Sequence, residues 1–181
     1  MDGQLRVGLV GLGDIAAKAY LPVLATDPTV YPVLITRDDE RRAALQSAWR
    51  IPEAYATVEE AAAAGARLDA AFVHAATVAH AQIAITLIDA GVPTFVDKPI
   101  ALSADDARMV VERARTAGVS FAACFNRRFT PTYAEAASMP GVDTVVLTKN
   151  RVDLPDDPRI VVFDDYVHVV DTLRFLVTPE P

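Results

Sequence analysis

The sequence predicts an α/β fold, beginning with a doubly wound parallel sheet covered by helices on both faces. Short apolar, β-branched runs alternate with segments whose apolar residues recur at helical spacing, and glycines mark several of the junctions. Parallel neighbouring strands need such crossover helices between them. The predicted strands cover residues 5–10, 30–36, 55, 70–75, 94–96 and 119–123, and the intervening helices cover 15–25, 41–49, 58–64, 79–90 and the stretch between 103 and 118.

Capping residues define the later helices of this series. Gly91 ends the helix at 79–90, because glycine readily adopts the left-handed conformation that closes a helix. Ser103 is a predicted N-cap, and Asp105 and Asp106 follow in the first turn, where acidic side chains favour the helix dipole. Gly118 ends that helix. The strand–helix alternation therefore continues to the strand before Cys124.

The pattern changes near Cys124. Beyond it we predict a helix at 130–139, a long strand at 142–150 and a helix at 162–177. This arrangement is typical of the start of an incomplete α+β domain, and the stretch is short for an independent core. The sequence thus predicts two domains, residues 1–124 and residues 125–181.

Composition excludes several functional classes. Hydrophobic residues make up 52% of the 181-residue chain and charged residues 23%, which is typical of a soluble globular protein. The net charge of −7 argues against a nucleic-acid partner, which requires clustered Lys and Arg. The apolar runs are far shorter than the ~20 residues that span a bilayer. We expect a cytoplasmic protein with no membrane partner and no metal site, in which the single cysteine, Cys124, is a core residue.

A turn of small residues follows the first strand. Gly11, Gly13 and Ala16 stand where a Rossmann dinucleotide site needs a tight turn, close approach of the backbone to a pyrophosphate, and close helix–strand packing. Asp14 and Ile15 complete the turn, and the next helix directs its first N–H groups at an anion. Because the turn joins a strand to a helix at the head of an α/β series, it predicts a nicotinamide-dinucleotide site.

The end of the second strand bears on the choice of cofactor. An acidic residue there would accept a hydrogen bond from the ribose 2′-hydroxyl of NAD, but this chain has Thr36 and Arg37. A hydroxyl beside a guanidinium suits a 2′-phosphate, so we expect NADP in preference to NAD. Asp38 and Asp39 follow directly. Arg37 could therefore instead form a surface ion pair with one of them.

Further segments make the chain resemble the Gfo/Idh/MocA oxidoreductases. Asp97-Lys98-Pro99 matches the family's Glu-Lys-Pro, and residues 125–131 match its Phe-Asn-Arg-Arg-Phe segment. Ala75-Ala76-Thr77, running to His80, is a weak match to its Thr-Pro-Asn turn, and Asp164, His168 and Asp171 follow in the family's order. The chain is most similar to the MviM-like branch (virulence factor MviM), through residues 18–24, 72–74 and 164–172.

The resemblance implies roles for these residues. Lys98 would lie by the nicotinamide ribose and the substrate hydroxyl, and Asp164 with His168 would form the acid–base pair. Ala75, Ala76, Thr77, His80 and Asp97 would lie beside the cofactor. The structural alternatives are a solvated Lys98 paired with Asp97, and a His168 that only supports its helix.

Three residues are candidates for contact with the substrate: Arg127, Tyr166 and Asp171. Arg127 and its neighbour Arg128 are slightly more typical of a structural feature at the domain junction. Tyr166 stands where the family often has Gly, although the MviM-like branch also has Tyr. A phenol there would reshape the pocket or add a hydrogen-bond donor.

Family members continue into a large open antiparallel sheet, whereas this sequence ends at Pro181. It is therefore expected to be a fragment, one member of a complex, or a reduced protein. The expected function is hydride transfer between NADP, or NAD, and the secondary alcohol or carbonyl of a small molecule, such as a sugar or polyol. The alternative is a non-catalytic dinucleotide-binding subunit or sensor. A homo-oligomer, or a partner chain that completes the second domain, is also expected.

Overall fold

The computed structural model describes residues 3–153 and 157–177. The chain divides between Ala123 and Cys124 into two compact units. The first contains one parallel sheet, whose strands are β1 (Leu5–Val10), β2 (Val30–Ile35), β3 (Ala54–Tyr55), β4 (Ala70–Val73), β5 (Thr94–Val96) and β6 (Phe121–Ala123). Their order in the sheet is β3-β2-β1-β4-β5-β6, which is the order of a Rossmann fold and confirms the α/β prediction.

Helices cover both faces of this sheet. On one face, Leu9 and Leu34 pack with Leu21 and with residues near the end of the helix at Asp39–Trp49. On the other face, Val73 and Val96 pack with the helices at Val58–Ala63, Thr77–Asp89 and Ala104–Ala117. The fully buried strand residues explain why the strands appear as continuous apolar runs in the sequence. The helices are α1 (Leu21–Leu24), preceded by a π-helical segment at Ala16–Tyr20, then α2 (Asp39–Trp49), α3 (Val58–Ala63), α4 (Thr77–Asp89) and α5 (Ala104–Ala117).

The predicted caps of α5 are confirmed. The Ser103 side chain accepts a hydrogen bond from the backbone N–H of Asp106, and Gly118 closes the helix with a φ of 66°. Helix α2 begins two residues earlier than predicted, because Asp38 is its N-cap and accepts from the backbone N–H of Arg41. The sequence analysis treated Asp38 only as a partner for Arg37.

The strand register brings four turns to one edge of the sheet. Val10 is in register with Ile35 of β2 and with Val73 of β4, and Val73 is in register with Val96 of β5. The residues that follow these strand ends therefore lie at neighbouring positions along the carboxyl edge. Ligands of open α/β sheets bind at this edge, where the strand order reverses. In this sheet the reversal lies between β1 and β4.

Within residues 124–153 and 157–177, the regular structure of the second unit is helical. A 3₁₀ turn at Asn126–Phe129 leads into α6 (Pro131–Ala137), and α7 (Pro158–Ile160) continues through a π-helical segment at Val161–Tyr166 into α8 (Val167–Val177). The predicted helix at 162–177 thus exists, but it begins earlier and includes wide turns. Helix α8 packs against α6 and against the 3₁₀ turn.

The predicted strand at 142–150 is wrong. These residues form no strand, although Val145, Leu147 and Lys149 are half-buried and their neighbours are exposed, as expected of an extended chain. A strand needs a neighbour that accepts and donates backbone hydrogen bonds. Within the described residues no strand pairs with this segment. The alternating sequence pattern agrees with the alternating exposure of these side chains but could not supply a partner strand.

No helix within residues 3–153 and 157–177 is both long and apolar enough to cross a membrane.

Candidate functional site

A cavity of about 640 Å³ opens at the carboxyl edge of the sheet. Its volume falls within the range of small-molecule and cofactor sites. Of the residues predicted to bind the cofactor, those that line it are Gly11, Gly13, Asp14, Thr36, Arg37, Ala75 and Ala76. Those that do not line it are Ile15, Ala16, Thr77, His80, Asp97 and Lys98.

The two glycines of the turn have different surroundings. Gly11 has a φ of +84°, and a Cβ atom added there would lie 2.3 Å from the backbone nitrogen of Ala75. Gly11 is therefore required by the close approach of the turn that follows β4. A Cβ atom on Gly13 would meet nothing within 4 Å, and Gly13 faces the cavity. The protein fold alone does not require glycine at position 13. A ligand group that passed close to the main chain there would require it.

Arg41 fixes the turn from the side of α2. Its Nε donates to the backbone oxygen of Leu12, and its guanidinium lies 3.6 Å from the carboxylate of Asp14. Asp14 also accepts from Lys18 Nζ at 2.7 Å, and this hydrogen bond is the main reason that the pKa of Asp14 is lowered. The sequence analysis missed Arg41, which lies 29 residues from Leu12. The signal was Asp38, because an N-cap there places Arg41 in the first turn of α2.

Arg37 is exposed beside the cavity and has no ion-pair partner within 4.0 Å among the described residues. The aspartates expected to compete for it have other partners. Asp38 caps α2, and Asp39 lies 2.8 Å from Arg42, which also donates to the backbone oxygen of Thr36. The alternative in which Arg37 pairs with one of these aspartates is thus absent from this structure. The guanidinium is available to an anion in the cavity.

His74 and Asp97 lie together on neighbouring strand ends. The His74 side chain is fully buried, its Nδ1 lies 3.7 Å from the Asp97 carboxylate, and its ring packs at a tilt of 44° against Tyr20, with 4.1 Å between centroids. Burial alone would raise the pKa of Asp97. The His74 ring, the Lys98 backbone N–H and the Lys98 charge outweigh that effect, so the pKa is lowered. His74 lines the cavity, which the sequence analysis did not predict.

We expect Asp97→Asn to destabilise the protein by about 1 kcal/mol at pH 7, since a charged acceptor is replaced by a neutral one. The folded-state pKa of Asp97 is lowered, so its stabilising effect is present above the unfolded value of about 3.9 and is lost as pH falls through the folded value. The stability difference between wild type and variant in urea unfolding should therefore begin to shrink below about pH 4 and disappear only below the folded-state pKa of Asp97. Asp143→Asn, at an exposed aspartate, is the control. A stability difference between wild type and Asp97→Asn that does not change with pH would contradict this account.

His80 lies in the first turn of α4, and Lys98 directly follows Asp97. His80 is buried, with Nδ1 at 2.8 Å from the backbone oxygen of Pro99 and Nε2 at 2.8 Å from that of Ala75. Lys98 is half-buried, and its backbone N–H donates to the carboxylate of Asp97. The Lys98–Pro99 peptide bond is cis. His80 thus contacts the turn that carries Lys98, and both its ring nitrogens lie against backbone oxygens rather than in the cavity.

The second unit holds the other predicted catalytic residues. The His168 ring is half-buried and packs edge-on against Phe125, with 6.4 Å between centroids. Asp164 is exposed on the π-helical segment. Wide turns of this kind occur often at functional sites. The regular four-residue spacing expected between Asp164 and His168 is therefore altered by a π-helical turn that the sequence pattern did not reveal.

Of the predicted substrate residues, Asp171 has the most constrained geometry. Asp171 is buried, and its carboxylate accepts from two nitrogens of Arg128: Nε lies 3.1 Å from both oxygens, and Nη2 donates to Oδ1. This bidentate pair ties α8 to the Asn126–Phe129 turn, which gives Asp171 a structural role. Arg127 is half-buried and Tyr166 is exposed.

The strand order and the cavity at the carboxyl edge are those of a Rossmann fold. Residues 5–125 match the oxidoreductase family with an NAD-binding Rossmann fold, Gfo/Idh/MocA. The chain belongs to this family.

Two curated relatives align with 97% of the chain. One is YceM of Salmonella typhimurium, which its name classes among the oxidoreductases, at 39% identity and with 57% of its length covered. The other is the D-xylose 1-dehydrogenase (NADP(+)) 2 of Haloferax volcanii, at 29% identity and with 58% of its length covered. The chain thus spans less than two thirds of the length of these relatives.

Two solved structures are similar over nearly the whole chain. A Gfo/Idh/MocA family oxidoreductase from Vibrio cholerae has a TM-score of 0.81 at 33% identity, covering 96% of this chain and 57% of its own. A dehydrogenase (MviM) from Clostridium difficile has a TM-score of 0.77 at 29% identity, covering 95% and 57%. The resemblance to MviM-like proteins seen in the sequence agrees with this second match.

Proposed function

We propose that the chain binds NADP in the cavity at the carboxyl edge and is the cofactor-binding part of an oxidoreductase. The observation that carries the proposal is the combination of an open Gly13 with an Arg37 that no described carboxylate neutralises. The Haloferax volcanii relative is named for NADP(+), which supports the same cofactor. NAD is the competing choice.

The residues present fit the parts of a dinucleotide. The backbone at Gly13, with no side chain in the way, allows a pyrophosphate to approach the start of the helix. Arg37 and the Thr36 hydroxyl would hold a 2′-phosphate by charge-assisted hydrogen bonds. Val58, Ile83 and Thr86 line the same cavity and offer a mainly apolar surface to an adenine ring.

The proposed reaction is oxidation of a secondary alcohol, or reduction of the corresponding carbonyl. When bound, the nicotinamide accepts the hydride from carbon or returns it. In the oxidation, Lys98 would orient the substrate hydroxyl, while His168, with Asp164, would accept the hydroxyl proton and return it in the reverse direction. These three roles rest on the family resemblance.

The proposed substrate is a small polyol or sugar, in line with a relative named for D-xylose. Arg127 and Tyr166 are the candidates for contact with it, whereas Asp171 positions Arg128. A homo-oligomer, or a partner chain that adds substrate-binding surface, is part of the same proposal.

Titration with NADPH and NADH, followed by nicotinamide fluorescence, tests the cofactor assignment. We expect wild type to bind NADPH more tightly, and Arg37→Ala to weaken NADPH binding about 10- to 100-fold, since a hydrogen bond to a charged group is worth ~1.5–3 kcal/mol. NADH binding should change little. Arg115→Ala removes the same charge from α5, where Arg115 pairs with Glu112, and is the control. Tighter binding of NADH by wild type would contradict the NADP assignment.

A further inference from the structure

His80 makes two contacts that place a strict demand on its protonation. It lies in the first turns of α4, 2% exposed, and its ring bridges two segments of backbone. Nδ1 lies 2.8 Å from the oxygen of Pro99, and Nε2 lies 2.8 Å from the oxygen of Ala75. Both distances are those of ordinary N–H···O hydrogen bonds.

Both partners are carbonyl oxygens, which accept hydrogen bonds and cannot donate them. A neutral imidazole has one N–H, so in either tautomer one ring nitrogen would direct a lone pair at a carbonyl lone pair. Only the imidazolium donates at both nitrogens. Of the ring's forms, only the cation would therefore satisfy both carbonyl oxygens with hydrogen bonds.

We propose that His80 is an imidazolium that joins the turn after β4 to the Lys98–Pro99 turn and acts as a positioning residue for Lys98. The protonation and the bridge stand on geometry alone. The catalytic consequence rests on the proposed function, because it requires Lys98 to act on a bound substrate. No polar atom of His80 needs to touch cofactor or substrate for this role.

The environment contains groups that favour and oppose the cation. The N-terminal dipole of α4 opposes it, and Lys98 adds a like charge on one of the joined turns. Burial also opposes it. Two charge-assisted hydrogen bonds to backbone oxygens favour it. His74, beside Ala75, and Asp97, beside Lys98, are the other titratable groups on these turns. Hydrogen bonds at both ring nitrogens reduce the cost of burying this charge.

Nitrogen-15 NMR of histidine-labelled protein without cofactor tests the protonation directly. The chain has three histidines, so single substitutions assign the signals. We expect both ring nitrogens of His80 to show the chemical shift of protonated nitrogen at pH 7. A spectrum with one protonated and one unprotonated His80 nitrogen would overturn the proposal.

Hydrogen exchange tests the positioning role. His80→Phe keeps an aromatic ring and removes both donors, so we expect amide exchange at Lys98 and Ile100 to accelerate at least tenfold beyond the effect of global stability. Val110→Ala truncates the core of α5 and is the matched control, expected to lower stability without this local effect. Unchanged local exchange in His80→Phe would overturn the positioning role. Failure of wild type to bind the cofactor would instead contradict the proposed function. It would not change what the histidine NMR and the hydrogen exchange show about His80.

Turnover of a substrate, once identified, adds a catalytic readout. We expect His80→Phe to lower kcat while changing KM for NADPH little, because Lys98 is displaced and the cavity lining is not. A fall in kcat matched by an equal rise in the KM for NADPH would show a general structural defect and contradict the positioning role.

Discussion

Gly11→Ala is expected to destabilise the protein by about 3 kcal/mol or more, whereas Gly13→Ala is expected to leave its stability unchanged and to weaken dinucleotide binding. At Gly11 the backbone has a positive φ, which costs other residues ~1–2 kcal/mol, and the new methyl group would lie 2.3 Å from the Ala75 nitrogen, an overlap that adds ~1–3 kcal/mol. The clash is with backbone, which cannot rotate away as a side chain can.

At Gly13 the added methyl group meets no protein atom within 4 Å. It would occupy the space through which we propose that the pyrophosphate reaches the helix. Urea unfolding of the two variants, with NADPH titration of Gly13→Ala, checks this pair of expectations. A stable Gly11→Ala would contradict the packing of the turn, and a Gly13→Ala that binds NADPH as wild type does would show that the pyrophosphate lies elsewhere.

Lys98→Met is expected to lower turnover by about 10²- to 10⁴-fold, the usual contribution of a group that assists proton transfer. Met preserves the length of the side chain and removes the ammonium group. Lys98→Arg keeps the charge, but its guanidinium remains protonated and has a different shape, so we expect it to restore little of the lost turnover.

The assay uses NADPH absorbance with polyols and keto sugars as candidate substrates, and the retained NADPH affinity of each variant is the control. Full turnover by Lys98→Met would remove Lys98 from the catalytic role. Tight NADPH binding by wild type with no oxidation or reduction of any candidate would favour the non-catalytic binding subunit.

Local sequence pattern predicted much of the first unit. The ends of β1 and β5 and the caps of α5 follow from residues within or beside those elements, namely the apolar runs, Ser103 and Gly118. The strand at 142–150 failed because strand formation depends on a neighbour, which no local pattern contains. The π-helical segment at Val161–Tyr166 was missed because its spacing departs from the regular helical period.

Some residues of the candidate site were predicted and others were missed. Gly11, Gly13 and Arg37 were predicted because their residue types have known uses beside strand ends, and all three line the cavity. Arg41 and His74 were missed because their contribution depends on contacts with Leu12 and Asp97, distant in sequence. His80 was placed beside the cofactor, whereas its ring bonds to backbone oxygens. Residues that act through a neighbour's backbone leave little signal in a single sequence.

The central claim is that the cavity at the carboxyl edge of β1, β2 and β4 binds NADPH, and mapping the site by NMR tests it most directly. On titration with NADPH, the backbone amide signals of Gly11, Gly13, Arg37 and Ala76 should shift with a common dissociation constant, while those of α5, such as Glu112, should not. Saturable shifts that exclude Gly13 and Arg37, or no shifts at millimolar NADPH, would contradict the claim.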